Sequence, residues 1–77
     1  MNLISVKTQR GLPFLKRGMK VELNYSGKTK SGVITGGNTS GNINVRFEGN
    51  NYSENVHPRW AIKYFDKMGN VIAEFPE

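Results

Sequence analysis

The chain contains no cysteine, and this absence excludes several ways of stabilising a small protein. Without thiols there is neither a disulfide bridge nor a thiolate metal site, so stability has to come from one packed apolar core. A chain of 77 residues forms one domain and buries only about 60% of its unfolded surface on folding. These properties exclude a deep cleft between domains, and we expect the protein to reside in the cytoplasm.

Long apolar runs and acidic side chains are also scarce. No run approaches the ~20 residues that span a bilayer, and residues 1–10 lack the continuous apolar stretch of a secretion signal. Eleven basic side chains outnumber six acidic ones, and residues 1–30 hold seven of the basic side chains but only one acid. The net charge of +5 favours a polyanionic partner or an acidic protein surface. We expect the basic face to come from the first third of the chain.

Strand patterns replace helical ones along most of the sequence. Nine glycines and many asparagines disfavour helix interiors, and no stretch of a dozen residues has a helical apolar stripe. Residues 20–25 and 42–48 alternate between apolar and polar side chains, which is typical of half-buried strands. The predicted strands are residues 20–25, 30–36, 42–48, 52–56, 60–65 and 71–75.

The segments between these strands carry turn residues. Residues 36–41 are rich in glycine and form a loop, and residues 66–70 suit a hairpin turn with a bulge. Pro58 interrupts the ladder, because it has no N–H group, and we expect one turn of 3₁₀ helix over residues 57–59. Near the N-terminus, Leu3–Val6 would add a further short strand.

Short strands joined by tight turns are typical of a small, strongly bent barrel. We therefore predict an all-β fold of five to six antiparallel strands. Residues 16–77 would form the barrel, and residues 1–15 would form an N-terminal arm.

Two short motifs resemble the SH3-like barrels of the KOW and Tudor kind. Residues 16–21, Lys-Arg-Gly-Met-Lys-Val, look like the entry to that family's first strand, and residues 30–34, Lys-Ser-Gly-Val-Ile, are similar to its second strand. The stretches 57–66 and 69–72 also resemble the end of small proteins carried by phages and prophages. The first resemblance implies an SH3-like barrel. The second extends over about residues 16–75 and implies no particular activity.

Groups that could perform catalysis are few. His57 is the only histidine, and its position before Pro58 is more typical of a turn cap than of a general base. The glycine-rich loop lacks the lysine and the following helix of a phosphate-binding loop. The acids are scattered singly, so the sequence predicts neither a carboxylate pair nor a metal site. We expect a binding protein with no catalytic residues, no cofactor and no metal.

Large aromatic side chains are too numerous for so small a barrel to bury completely. Alternation within residues 60–65 leaves open whether Trp60 belongs to the core or to the surface. Small barrels commonly bind through exposed rings that stack on bases or proline rings, beside basic side chains that contact phosphates. Residues of these two kinds make up the candidate binding surface: Tyr25, Lys28, Lys30, Arg46, Tyr52, Arg59 and Trp60.

Two functional hypotheses follow from this surface. In the first, the basic side chains contact the backbone of DNA or RNA while Tyr25 or Tyr52 stacks on bases. In the second, the aromatic cluster and the loop at residues 36–41 bind a protein, as in a phage-encoded modulator of a host protein. The first predicts a steep dependence of affinity on salt, and the second predicts a stoichiometric complex that depends on salt more weakly. The sequence leaves the oligomeric state open.

Overall fold

A computed structural model describes residues 3–77 of the chain as one short helix followed by six strands. The elements are α1 (Leu3–Arg10), β1 (Lys20–Tyr25), β2 (Lys28–Gly37), β3 (Ile43–Phe47), β4 (Glu54–Val56), β5 (Ile62–Phe65) and β6 (Val71–Phe75). All strand pairs are antiparallel. The prediction of a mostly β fold with five to six antiparallel strands is confirmed, and the number is six.

The six strands form a single sheet in the order β4-β3-β2-β1-β5-β6. The longest strand, β2, has ten residues and contains a bulge between Ile34 and Gly36, a feature that bends the strand that carries it. Closure into a barrel would require β4 to pair with β6, but in residues 3–77 each of these strands pairs on one side only. The sheet is therefore open, and in this respect it differs from the predicted barrel.

The N-terminal prediction is wrong, because Leu3–Val6 begins a helix and not a strand. Leu3 and Val6 are three residues apart, which places both on one helical face, and both are buried. At the end of α1, the Arg10 guanidinium donates to the backbone oxygen of Gly41 (2.8 Å) and to Oδ1 of Asn42 (3.2 Å). These bonds tie the helix to the loop after β2, and they also fix that loop.

The predicted 3₁₀ turn at residues 57–59 is also absent: a hydrogen-bonded turn followed by a bend leads from β4 into β5. The Arg59 N–H donates to Nδ1 of His57 at 3.1 Å, so this donor bonds to a side chain and does not start a helical turn. His57 thus has the role of a turn cap. Ala61 then has a positive φ of 53°, which breaks the strand alternation just before Ile62.

The core lies on the inner face of the sheet and extends under α1 and the segment that follows it. It contains the alternating residues of β1 and β3, together with Ile62 and Tyr64 of β5 and Leu12 and Leu15. Because α1 contributes Leu3 and Val6 to the same cluster, the N-terminal segment is part of the packed domain. The outer face of the sheet carries the polar residues of the alternating strands.

Candidate functional site

Tyr25 and Trp60 are 35 residues apart in sequence, but the fold brings them together. Their ring centroids are 5.7 Å apart, and the rings are tilted by 39°. Tyr25 is half-buried, whereas 44% of Trp60 is exposed, which places Trp60 on the surface. Lys28 is the cross-strand neighbour of Tyr25, and Arg59 precedes Trp60. We call Tyr25, Lys28, Arg59 and Trp60 the ring-pair surface.

One of the two cations at the ring-pair surface, Arg59, is engaged in contacts within the protein. The Arg59 guanidinium lies 4.8 Å from the ring centroid of Phe75 and donates to the backbone oxygen of Arg10 (3.0 Å). Close by, the Ser26 N–H donates to the Glu77 carboxylate at 3.2 Å, which brings an acid to the β1–β2 turn. Lys28 is exposed and makes no ion pair in the described part of the chain. This surface is therefore aromatic but only weakly basic.

The other three predicted residues lie outside the ring-pair surface. Lys30 forms an ion pair with Glu54 at 3.5 Å, and its ammonium group lies 4.3 Å from the ring centroid of Phe47. Arg46 is opposite Val33 on the outer face of the sheet. Tyr52 is exposed in the β3–β4 loop, and within residues 3–77 it makes no ring contact with the pair. The structure thus divides the predicted surface into separate places.

A groove of about 830 Å³ lies between the segment after α1 and the β5–β6 hairpin. Four lysines from separate parts of the chain line it, and so do several apolar side chains, including four large ones that are at least partly exposed. We call it the lysine groove, with the cations Lys7, Lys16, Lys20 and Lys67 and the apolar residues Phe14, Phe65, Met68 and Ile72.

A second groove, of about 410 Å³, shares Lys20 with the lysine groove. It is lined by Arg46 as well, together with Glu48 and Asn50. Lys20 is the cross-strand neighbour of Val33, and Val33 is that of Arg46, so the two cations lie in one row on the outer face. The two grooves together collect five basic side chains.

These five cations have few partners within the described residues. Lys20 lies 5.6 Å from the ring centroid of Phe65, and Lys7, Lys16, Arg46 and Lys67 form no ion pair in residues 3–77. Asp66 lines the lysine groove, but its carboxylate accepts hydrogen bonds from the N–H groups of Met68 and Asn70, both at 2.9 Å.

The sequence did not predict that the four lysines would lie together. The only signal was the excess of basic residues in the first third of the chain.

The hydrogen bonds to Asp66 predict a pH dependence of stability. The backbone N–H of Asn70, more than that of Met68, stabilises the carboxylate and lowers its pKa below the usual value of about 3.9. A lowered pKa in the folded state gives stability that is present above about pH 4 and is lost as the pH falls below it. We expect Asp66→Asn to reduce the loss of unfolding free energy between about pH 6 and about pH 2, measured by urea denaturation. Glu48→Gln, a change at an exposed acid, should leave that loss as in the parent protein, and equal losses in all three proteins would contradict the prediction.

Other kinds of site have little support in this part of the structure. Residues 3–77 contain no group of three or more His, Cys, Asp or Glu side chains that could hold a metal ion. No helix in the same residues is long and apolar enough to cross a membrane.

Comparisons with known proteins give no relative: no protein-family model, no curated protein and no solved structure matches the chain. The six-stranded antiparallel sheet is compatible with an SH3-like fold.

Proposed function

We propose that the protein is a non-catalytic module that binds nucleic acid along the lysine groove and the adjoining groove with Arg46. The observation that carries this proposal is the meeting of five cations from separate parts of the chain, none of which forms an ion pair in residues 3–77. Like charges that lie close together repel one another, so this grouping does not help the fold. A phosphate backbone would relieve the repulsion and would supply a negative charge at every nucleotide.

The ring-pair surface is a second candidate, with a different kind of partner. It lies at the other end of β1, about 17 Å from Lys20 at 3.4 Å per residue. Trp, Tyr and Arg are the residues that most often dominate the energetics of protein interfaces. With two cations and one nearby acid, this place attracts phosphates less than the two grooves, where five cations face two acids, Asp66 and Glu48. This favours a protein contact there, in line with the second hypothesis from the sequence.

Salt dependence is the first test of nucleic-acid binding. We expect labelled single- and double-stranded oligonucleotides to bind at low salt, with the logarithm of affinity falling linearly as the logarithm of salt concentration rises. The slope should be about −0.7 per neutralised phosphate for single strands and about −0.9 for duplexes. Fluorescence anisotropy would measure both values, and no binding of either nucleic acid at low salt would overturn the proposal.

Charge-reversal variants would show which surface contacts the nucleic acid. Lys16 and Lys28 are both exposed and unpaired in the described residues, and a change to Glu alters the net charge equally at either place. Lys16→Glu should weaken oligonucleotide binding by about tenfold, which corresponds to about 1.4 kcal/mol, because it reverses a charge in the groove. Lys28→Glu should weaken it by no more than about twofold. A larger effect from Lys28→Glu than from Lys16→Glu would show that nucleic acid binds at the ring-pair surface and not in the lysine groove.

A further inference from the structure

The apolar part of the lysine groove is exposed to a degree that phosphate binding alone does not explain. Met68 is 85% exposed and Ile72 is 43% exposed, although both are apolar and both line the groove. Phe14 and Phe65 are half-buried beside them. A surface that only neutralises phosphates needs cations and polar groups, and it gains nothing from exposed apolar side chains. The apolar residues therefore indicate what else the ligand carries.

The fold fixes the backbone of the turn that carries Met68 and the ring of Phe14. The Asp66 carboxylate accepts from the N–H groups of Met68 and Asn70, and the Asp66 N–H donates to the backbone oxygen of Asn70 at 2.9 Å. These three bonds fix the β5–β6 turn that carries Met68. The ring of Phe14 is held by an edge-to-face contact with the buried Tyr64, at 5.0 Å between centroids. These two parts of the groove are thus preorganised.

We propose that the lysine groove accepts an unpaired base of a single-stranded nucleic acid, with the flanking phosphates on its lysines. This inference rests on the proposed function and names the form of nucleic acid that the site takes. A volume of about 830 Å³ lies within the range of about 300–1,000 Å³ that is typical of pockets for small molecules, so a base has room to enter. A base that lies on aromatic and apolar side chains contributes to affinity whatever its identity, since every base has a π-face.

A duplex can make fewer contacts with the groove than a single strand. Its bases are stacked and paired inside the helix, so only phosphates and groove edges reach a protein surface, and the apolar side chains would stay uncovered. The base-accepting mode therefore predicts a preference for single strands. An acidic and apolar peptide would satisfy the lysine groove alone, but the row of cations continues past Lys20 to Arg46 in the second groove, where two cations outnumber the one acid, Glu48. A ligand with a charge at every repeat fits this continuation better.

The experiment compares one short oligonucleotide with the same sequence annealed to its complement, at equal salt, by anisotropy with the full chain. We expect the single strand to bind about tenfold more tightly. Ile72→Ser and Met68→Ser should each weaken single-strand binding by about fivefold and leave duplex binding and the salt slope unchanged, because they remove base contacts but no charge. Ile4→Ser, at an exposed apolar residue of α1, is the control and should change none of these values.

The outcomes separate this inference from the proposed function. If the duplex binds as tightly as the single strand, or if Met68→Ser and Ile72→Ser weaken both equally, base acceptance is wrong while nucleic-acid binding stands. If neither nucleic acid binds at low salt, both proposals fall. If a peptide of alternating glutamate and leucine displaces the oligonucleotide and binds more tightly than it does, the groove is a protein site and the inference is overturned. Circular dichroism of each variant would show that the fold is retained.

Discussion

Replacing Gly32 with alanine is expected to destabilise the fold by about 3 kcal/mol or more. A Cβ atom at this position would lie 2.6 Å from the backbone oxygen of Arg46, 2.8 Å from Cγ1 of Val45 and 3.0 Å from Cα of Phe47. Two of these three atoms belong to the backbone of β3, so β2 and β3 would have to move apart. Because a chain of this length is stable by only about 4–12 kcal/mol, the change removes a large part of the total.

Gly36→Ala is a matched control for Gly32→Ala. Gly36 lies on the same strand, has no positive φ, and its added Cβ would meet no atom closer than 4.0 Å. We expect this change to be neutral or to stabilise by up to about 1 kcal/mol, because alanine reduces the conformational freedom of the unfolded chain. Urea denaturation of both variants would measure the difference, and similar stabilities would show that β2 and β3 do not approach so closely at Gly32.

Tyr64→Ala is the second change with a large expected effect. Tyr64 is fully buried, and its ring contacts Phe14 at 5.0 Å and Phe75 at 6.4 Å between centroids. The side chain thus joins the segment after α1 to β6 across the core. Truncation would leave a cavity the size of a phenol ring, and we expect a loss of about 3–5 kcal/mol in the free energy of unfolding. A loss below about 1 kcal/mol would contradict this central position.

Tyr64→Phe measures the contribution of the hydroxyl to stability separately from that of the ring. The Tyr64 hydroxyl donates to the backbone oxygen of Pro58 at 2.6 Å, so its removal leaves that oxygen without this donor and should cost about 1–2 kcal/mol. Burial of the hydroxyl also raises the pKa of Tyr64 well above the usual value of about 10, and the charge of Arg59 offsets only part of this effect.

The raised pKa of Tyr64 has a consequence at alkaline pH. The protonated hydroxyl is favoured in the folded state, so its contribution to stability is complete below about pH 10 and is lost as the pH rises further. Stability should therefore fall above about pH 10 in the parent protein and fall less in Tyr64→Phe. Denaturation curves at several alkaline pH values would test this, and parallel losses in both proteins would contradict it.

The strands were predictable because their signal is local. In β1 and β3, every second residue is apolar, and those residues are buried except for Tyr25, which is half-buried at the end of β1. The alternation requires no knowledge of the partner strand, since it reflects only which face of a strand is covered. The closure of the sheet was not predictable in this way, because it depends on whether β4 and β6 meet.

The sequence did not predict helix α1, because its apolar pattern is weak and the contacts that stabilise it come from residues far away in the sequence. Only Leu3 and Val6 of its eight residues are buried, so no apolar stripe of useful length exists. The bonds from Arg10 to Gly41 and Asn42 reach residues 31 and 32 positions away. Tertiary contacts of this kind stabilise a short helix that its own sequence would leave marginal.

The candidate site was predictable in its chemistry and not in its position. The excess of basic residues in the first third of the chain indicated an anionic partner, and three of the lysine-groove cations, Lys7, Lys16 and Lys20, come from that third. Lys67 joins them only because the β5–β6 hairpin lies beside the segment after α1. Arg46 alone among the predicted residues borders these grooves.

The sequence by itself determined the mostly β class, the approximate positions of the six strands and the sign of the charge, because each depends on neighbouring residues or on composition. Only the tertiary structure decided that Trp60 lies on the surface against Tyr25, that Arg59 and Lys30 are already engaged, and that unpaired lysines meet around an apolar groove. The physical reason is that a side chain's availability depends on what lies next to it in space. Those neighbours come from segments far away in the chain.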